Sequence, residues 1–424
     1  MRVAIVGTGI AGNVAAYKLR DHHDITVYEA AGYVGGHTNT VDVDTPDGKL
    51  PIDTGFIVYN DRTYPNFIRI LDEIGQESQP SIMSFSVRTE DGRLEYNGAS
   101  LNALFAQRRN ILRPPFYRMV RDILRFNKNA IATMQEECTT QTVGGYLLKH
   151  GYSLEFLKSY LVPMAAAIWS SEPLAIEKMP LRFLVRFFHN HGLLQLKDRP
   201  VWRVIKGGSR EYVEKLVDAH RDRIRLNAPV RRIFRDAGGV DIVTAAGGRE
   251  RYDAVFIAAH SDQALAMLDA PTRTEHDVLG AIRYQDNEAV LHTDASLMPR
   301  RRRAWAAWNY HVPTDSKKHV AVTYNMNILQ GLNAATQYCV TLNNDQRIDD
   351  DKIIRRIRYQ HPIYTRETVT AQSRQSEINR QRTFFCGAYW RNGFHEDGVV
   401  SALDAVRHFE EEQQREELYL RRAG

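Results

Sequence analysis

Arg2-Val-Ala-Ile-Val6, followed at once by Gly7-Thr-Gly9-Ile-Ala-Gly12 and the run Asn13 to Arg20, opens the chain as a short buried strand, a glycine turn and a helix. The three glycines answer different needs. Gly7 admits the tight bend, Gly9 leaves the backbone bare for a pyrophosphate, and Gly12 lets the helix pack on the strand. The first helical amides, around Ile10 and Ala11, and the helix dipole then face the phosphates. A second strand is predicted over Asp24 to Tyr28. It ends in Glu29, 22 residues after Gly7, the spacing at which an acid accepts hydrogen bonds from an adenosine ribose.

The next thirty residues discriminate between dinucleotides. A nicotinamide-binding domain normally places a helix after its second strand, but this chain runs directly into Ala30-Ala-Gly-Tyr-Val-Gly-Gly-His-Thr-Asn-Thr40. Gly35 and Gly36 offer a second close backbone approach, or an ordinary hairpin turn. A polar strand-like stretch and the turn Thr45-Pro-Asp-Gly48 lead to Ile52-Asp-Thr-Gly-Phe56, where the small Thr54 and Gly55 let a flat ring system lie against the main chain. The pattern favours FAD over NAD.

Length and composition bound the rest. The 424 residues fit two to three domains of roughly 150 residues, or one domain wrapped around another. With 43% hydrophobic and 25% charged residues, neither a disordered nor a fibrous chain fits. The net charge of +5 is too small to argue nucleic-acid binding. Cys138, Cys339 and Cys386 are far apart and outside any CxxC, which indicates neither a disulfide framework nor a zinc site, and points to a reducing cytoplasm. No stretch reaches eighteen consecutive apolar residues, and the start of the chain lacks a signal-peptide pattern. The expectation is a cytoplasmic protein, at most peripheral to the inner face of a membrane.

From Thr63 to about Lys197 the pattern is mostly helical, with many aromatics and few strands after Ile82 to Arg88. Phe116, Met119, Val120, Ile123 and Leu124 recur at helical spacing, with Arg118, Arg121 and Arg125 off that stripe. The segment Arg108–Lys128 carries seven basic residues against the single acid Asp122. It reads either as a solvated helix face or as a contact for anionic phospholipid headgroups. Val204 to Val213 puts the pair Gly207-Gly208 before a helix. Strands through Val230 to Ile233, a hairpin at Ala237-Gly-Gly239, and Tyr252 to Ala259 are expected to complete a small sheet. In a flavoprotein of this layout the Val230 backbone meets the adenine. Tyr284 to Arg374 is rich in strand formers. It contains Arg300-Arg-Arg-Arg303 before Trp305 and Trp308, read either as a solvated loop entering a strand whose tryptophans line a core or pocket, or as a contact for a phosphate or carboxylate on the substrate. Thr383 to Gly387 reads as a buried strand, Ala388 to Asp397 as a loop, and Gly398 to Val406 as a helix start with Asp397 as its N-cap. A helix N-terminus aimed at a flavin stabilises the negative charge of its reduced form.

Taken in order, Gly7 to Gly12, Glu29, Gly35 to Thr38, Asp53-Thr-Gly55, Gly207-Gly-Ser209, Cys386-Gly387 and Gly393 to Gly398 resemble the flavin-containing amine oxidase superfamily, which also holds phytoene desaturases and protoporphyrinogen oxidase. Ala165 to Ser170, Asn190 to Leu194, Leu297 to Arg303 and Tyr389 to Gly393 resemble a narrower bacterial subgroup of predicted NAD/FAD-binding proteins, often encoded beside cyclopropane-fatty-acid-synthase-like methyltransferases. The resemblance implies an α/β fold: a doubly wound, Rossmann-like FAD-binding domain (residues 1–62, 200–283 and 375–424) interrupted by a mixed helical and β-sheet substrate domain (63–199 and 284–374). It also extends the cofactor contacts to Ala30, His37, Thr38, Phe56, Gly387, Phe394 and Val399.

Its implied chemistry is oxidation of a fatty acyl chain, for example a methyl-branched acyl group on a phospholipid, with hydride passing to FAD while a base removes the neighbouring proton. His395 and Glu396 are the candidates for base or hydrogen-bond partner at the ring. The partners implied are a lipid or other apolar small molecule, an anionic membrane surface, and a cyclopropane-synthase-like methyltransferase; no nucleic acid and no metal are expected. The departures bear on substrate. His37 stands where amine oxidases commonly carry arginine, Ala388 and Tyr389 where many have an acid, and Phe394 where their aromatic cage has tyrosine. No lysine stands near Asn287 to Thr293. Two alternatives stay open: a flavin amine oxidase, and a non-catalytic FAD-binding scaffold for a lipid methyltransferase.

Overall fold

A computed structural model describes residues 1–134, 141–169, 172–195, 197–313, 321–344 and 347–423; Cys138 and Ser170 lie outside it. Its first sheet is parallel and five-stranded, in the order Ile224–Arg225, Asp24–Tyr28, Arg2–Val6, Ala254–Ile257, Thr383–Phe385. Alternation along the central strand divides two cores. Val3 and Ile5 meet the helices Ile10–Leu19, Arg210–Val217 and His395–Ala423, while Ala4 and Val6 meet a three-stranded antiparallel sheet of Val230–Asp236, Gly239–Thr244 and Arg249–Tyr252. Sheets covered on both faces show apolar runs instead of alternating polarity. That corrects the expectation for Tyr252 to Ala259. Tyr252 ends the antiparallel sheet, whereas Ala254–Ile257, buried throughout, enters the parallel one.

The two expected substrate segments share a seven-stranded sheet, ordered Ile353–Ile363, Arg283–His292, Cys339–Leu342, Ala321–Asn325, Trp308–Val312, Phe85–Thr89, Glu95–Asn97. Only the pairing of Trp308–Val312 with Phe85–Thr89 is parallel. Helices over residues 114–190 pack with this sheet in the largest core. Part of the expected insertion sits elsewhere. Helix Pro65–Glu73 contributes Phe67, Ile70 and Leu71 to the core of the parallel sheet.

The basic helix, Pro114–Asn129, departs from its expected stripe: Leu124 is 48% exposed and Asp122 is buried. The physical reason is a hydrogen bond. Asp122 Oδ2 accepts from the backbone N–H of Ser153 at 2.9 Å, the residue that caps helix Leu154–Phe156, and this fixes the rotation of the basic helix. Among the described residues no helix is long and apolar enough to cross a membrane.

Candidate active site

A cavity of about 740 Å³ opens at the carboxyl ends of the parallel strands and extends to the seven-stranded sheet. Ligand crevices of open α/β sheets lie at that edge. Glycine geometry shapes the near wall. Gly7 adopts φ +100°, and a Cβ there would lie 2.8 Å from the Ala258 carbonyl oxygen; on Gly12 it would lie 1.9 Å from that of Gly7. On Gly9 a Cβ would meet nothing within 4 Å. Two of these glycines therefore exist for packing, and the third keeps space open in front of a helix start.

Of the residues singled out in the sequence, Gly7, Gly9, Ile10, Ala11, Glu29 and Ala30 line this near end, with Val230 beside them. Gly35, Gly36, His37, Thr54, Gly55 and Phe56 form the next stretch of wall, and Gly387, Phe394 and His395 close it from the C-terminal segment. Glu29 is oriented by its neighbours: Oε2 accepts from the Thr8 amide at 2.9 Å and from the Thr8 hydroxyl, and Oε1 from the Ala31 amide at 2.8 Å. Gly36 and Gly9 come together closely enough that a Cβ on Gly36 would sit 3.1 Å from the Gly9 Cα. The Gly-Gly loop thus abuts the glycine turn.

Six of the singled-out residues do not line the cavity. Gly12 is a packing residue, as above. Thr38 lies behind the wall, its Oγ1 2.7 Å from the Tyr212 hydroxyl and 3.1 Å from His395 Nε2. Gly398 brings its helix onto the first one, since a Cβ there would lie 2.6 Å from Ile10 Cγ2. Val399 is core. Glu396 faces helix Pro65–Glu73: its Oε1 accepts from the Asn66 amide and side chain at 3.1 and 2.7 Å, and its Oε2 from the Phe67 amide at 2.9 Å. Both oxygens are spent on that helix's free N–H groups. Asp397 is no N-cap, because the helix begins at His395. It reaches back instead, Oδ2 accepting from the amides of Phe394 at 2.9 Å and Asn392 at 3.2 Å, as the third residue of a capping box does. Burial raises its carboxyl to about 7.

His395 is held by its ring face and by Nε2. Its ring stacks on Phe56 at 3.5 Å between centroids, and its Nε2 lies 2.6 Å from the Tyr212 hydroxyl. Burial, and secondarily His37, hold it well below the usual imidazole range, so it is neutral. His37 is pushed down to about 3 by burial first and by His361 and His260 next. It stacks on Tyr359, and its buried Nε2 has no hydrogen-bond partner among the described residues. An imidazole nitrogen left unsatisfied in a cavity wall calls for a ligand atom. His361 accepts from the Asn287 side-chain amide at Nδ1, 2.8 Å, which leaves Nε2–H as a donor.

Asp53 locks the neighbouring loops. Oδ1 accepts from the Thr40 hydroxyl at 2.6 Å and from the amide and hydroxyl of Ser209 at 2.8 and 2.7 Å. Burial raises this carboxyl to about 6. The Asp53-Thr-Gly55 and Gly207-Gly-Ser209 motifs are thereby one assembly.

The far wall was not read from sequence, apart from Trp308. It comprises Ile57, Val58, Ile168, Trp169, Tyr324 and Leu342, with Tyr359 and His361 from the long strand and Tyr364 just after it. The signal available was Tyr359 and His361, two apart and so on one face of a strand, in a run that ends in Tyr364. Trp305 does not line the cavity; its indole N–H donates to the Pro299 carbonyl at 2.7 Å. Among the described lining residues Glu29 and Arg231 alone carry full charge, both at the near end, and none is lysine. No described cluster of His, Cys, Asp or Glu has the makings of a metal site.

Residues 10–292, about two thirds of the chain, match the family described as flavin containing amine oxidoreductase. The chain belongs to that family. Its fold is shared with solved structures of low identity. Cyclohexylamine oxidase from Brevibacterium oxydans IH-35A has a TM-score of 0.68 at 16% identity, covering 97% of this chain and 99% of that one. Putrescine oxidase bound to putrescine gives 0.67 at 15%, with the same coverage. A CLA-producing fatty acid isomerase from P. acnes gives 0.66 at 16%, covering 96% and 98%. This flavin-containing amine oxidoreductase is an FAD-dependent enzyme. The open space before Gly9 and the unsatisfied His37 Nε2 fit that cofactor.

Proposed function

We propose that the protein oxidises a lipid acyl chain, removing hydrogen from adjacent carbons to form a double bond, with a methyl-branched acyl group of a phospholipid as substrate. The observation that carries this reading is the far end of the cavity, walled, His361 apart, by aliphatic and aromatic side chains, with neither a carboxylate nor a lysine among its described residues. An apolar chain gains from burial there, about 25 cal/mol per Å² removed from water, whereas an ammonium ion finds no counter-charge. A methyltransferase of the cyclopropane-synthase type would supply the branch.

Bound FAD supplies the two-electron oxidation. The chain's residues do the rest. The glycine turn and the start of helix Ile10–Leu19 hold the pyrophosphate, Glu29 the ribose and the Val230 backbone the adenine. Trp169, Trp308 and Leu342 hold the substrate and exclude water. His395 is the group for the second hydrogen: in the tautomer whose Nε2–H donates to the Tyr212 oxygen, Nδ1 keeps a lone pair for a proton. Glu396 acts only through the helix it caps.

The aromatic faces of Trp169, Tyr364 and Phe394 favour a second reading, an amine oxidase that holds a cation by its π contacts. Anaerobic mixing decides between them. Bleaching of the flavin by methyl-branched phospholipids and not by polyamines is expected; the reverse pattern makes the enzyme an amine oxidase, and no bleaching by either overturns both readings. His395→Ala should slow single-turnover bleaching by at least roughly a hundredfold. An unchanged rate removes His395 from the chemistry.

A further inference from the structure

Two arginine runs far apart in sequence meet on the surface. Arg108 and Arg109 on one side and Arg301, Arg302 and Arg303 on the other wall a concavity of about 490 Å³, with Ala106 beside them. All five side chains are exposed. Only Arg301 meets a carboxylate, that of Glu95 at 3.2 Å. Arg108 donates to the Phe105 carbonyl and the Asn102 side chain, and Arg109 to the Gly92 carbonyl. Arg302 lies 5.3 Å over the Trp305 ring. Neither these three nor Arg303 has an acidic partner within 4.0 Å among the described residues.

The basic helix beside them behaves differently. Arg118 pairs with Glu155 at 3.0 Å, and Arg121 and Arg125 flank Asp122 at 3.9 and 3.4 Å. At the concavity four arginines thus stand together without a carboxylate, whereas the middle of the helix sets its arginines against Glu155 and Asp122. Apolar side chains project from the same short turns: Leu112 is 86% exposed, Leu101 77% and Ile111 46%. Helix Leu101–Leu104, which carries Leu101, packs against the turn Arg302–Ala304, and its Asn102 side chain accepts from Arg108.

Guanidinium forks match phosphate oxygens in pairs. Leucines projecting beside cations match the boundary between headgroups and acyl chains. We infer that this concavity docks the protein on an anionic phospholipid surface, the arginines taking lipid phosphates and Leu101 and Leu112 entering the acyl boundary. The surface makes a poor bed for single-stranded nucleic acid, which needs exposed aromatic platforms. Trp305, the aromatic nearest the run, is covered by Arg302 and hydrogen-bonded to Pro299. The inference rests on surface charge and exposed leucines and stands whatever the substrate of the cavity.

The test is sedimentation of the FAD-loaded protein with vesicles of phosphatidylcholine alone or mixed with phosphatidylglycerol. Binding only to the mixed vesicles, lost as salt is raised, is expected. Arg108→Gln with Arg303→Gln should lower the partition coefficient roughly twenty-five-fold, at roughly fivefold for each charge. Leu112→Asn should lower it severalfold and keep the salt dependence. Unchanged flavin content shows that each variant is folded. Equal binding to neutral vesicles, no binding to either, an unaltered double variant, or stronger retention on a single-stranded RNA oligonucleotide than on mixed vesicles overturns the inference.

Discussion

Beside Gly7 to Gly12 the wall of the cavity is main chain and short polar groups; beside Trp169 and Trp308 it is large side chains. At the first end, shape follows from where a Cβ is missing, so only substitutions at glycines or at the residues locking them alter it. At the second, shape follows from side-chain volume, which substitution changes freely. Cofactor and substrate recognition can therefore be disturbed separately.

The largest effect is expected at Gly12. Alanine there has no room against the Gly7 carbonyl, and Gly12→Ala should cost roughly 4 kcal/mol or prevent folding, read by chemical denaturation. Gly9 supplies the contrast. Its φ of −63° suits alanine, so Gly9→Ala should keep the melting temperature of the FAD-free protein while weakening FAD binding roughly tenfold, about 1.4 kcal/mol. Equal losses in both variants would erase the distinction between packing glycines and cradle glycine.

Next comes Asp53. Asp53→Ala strands the donors of Thr40 and Ser209 and should cost about 3 kcal/mol. Asp53→Asn keeps an acceptor for them. Because burial raises this carboxyl from 3.8 to about 6, the folded protein holds its proton over a window in which the unfolded chain has released it. Stability from this group therefore falls as pH rises from about 4 to 6 and is flat above. The melting temperature of Asp53→Asn relative to the parent should climb through that window and then level.

Smaller effects belong to the far wall. Ile168→Asn places an amide among apolar groups and should lower kcat/KM for the acyl substrate roughly thirtyfold, about 2 kcal/mol, with FAD content unchanged. Trp169→Phe removes one hydrogen bond, from the indole N–H to the Asn392 carbonyl at 3.2 Å, and should cost about 1 kcal/mol of stability.

What could be read in advance follows the same division. Glycines, a strand end and an acid at fixed spacing are local signals, and they located the near wall from Gly7 through Glu29 to Gly55. The last helix was misread by three residues because Phe394, which precedes it, carries no capping side chain, while Asp397, inside its first turn, resembles a cap. Glu396 was misassigned for a related reason: its partners, Asn66 and Phe67, are remote in sequence. Tyr359 and His361 share one face of a strand, but that face could be assigned to the cavity only once the strand's place at the sheet edge was known. Leu124 fits helical spacing, and only the buried Asp122 turns it outward.

The order of strands in the seven-stranded sheet also sets a timetable for synthesis. Phe85–Thr89 and Glu95–Asn97 leave the ribosome long before Trp308–Val312, the neighbour that joins them to the other strands. At roughly 5 to 20 residues per second, that wait lasts tens of seconds. Val87 and Tyr96 share a small satellite core with Phe116 and Met119 of the helix made immediately afterwards. The nascent hairpin thus acquires a cover from its own next segment, before its strand partner has been translated.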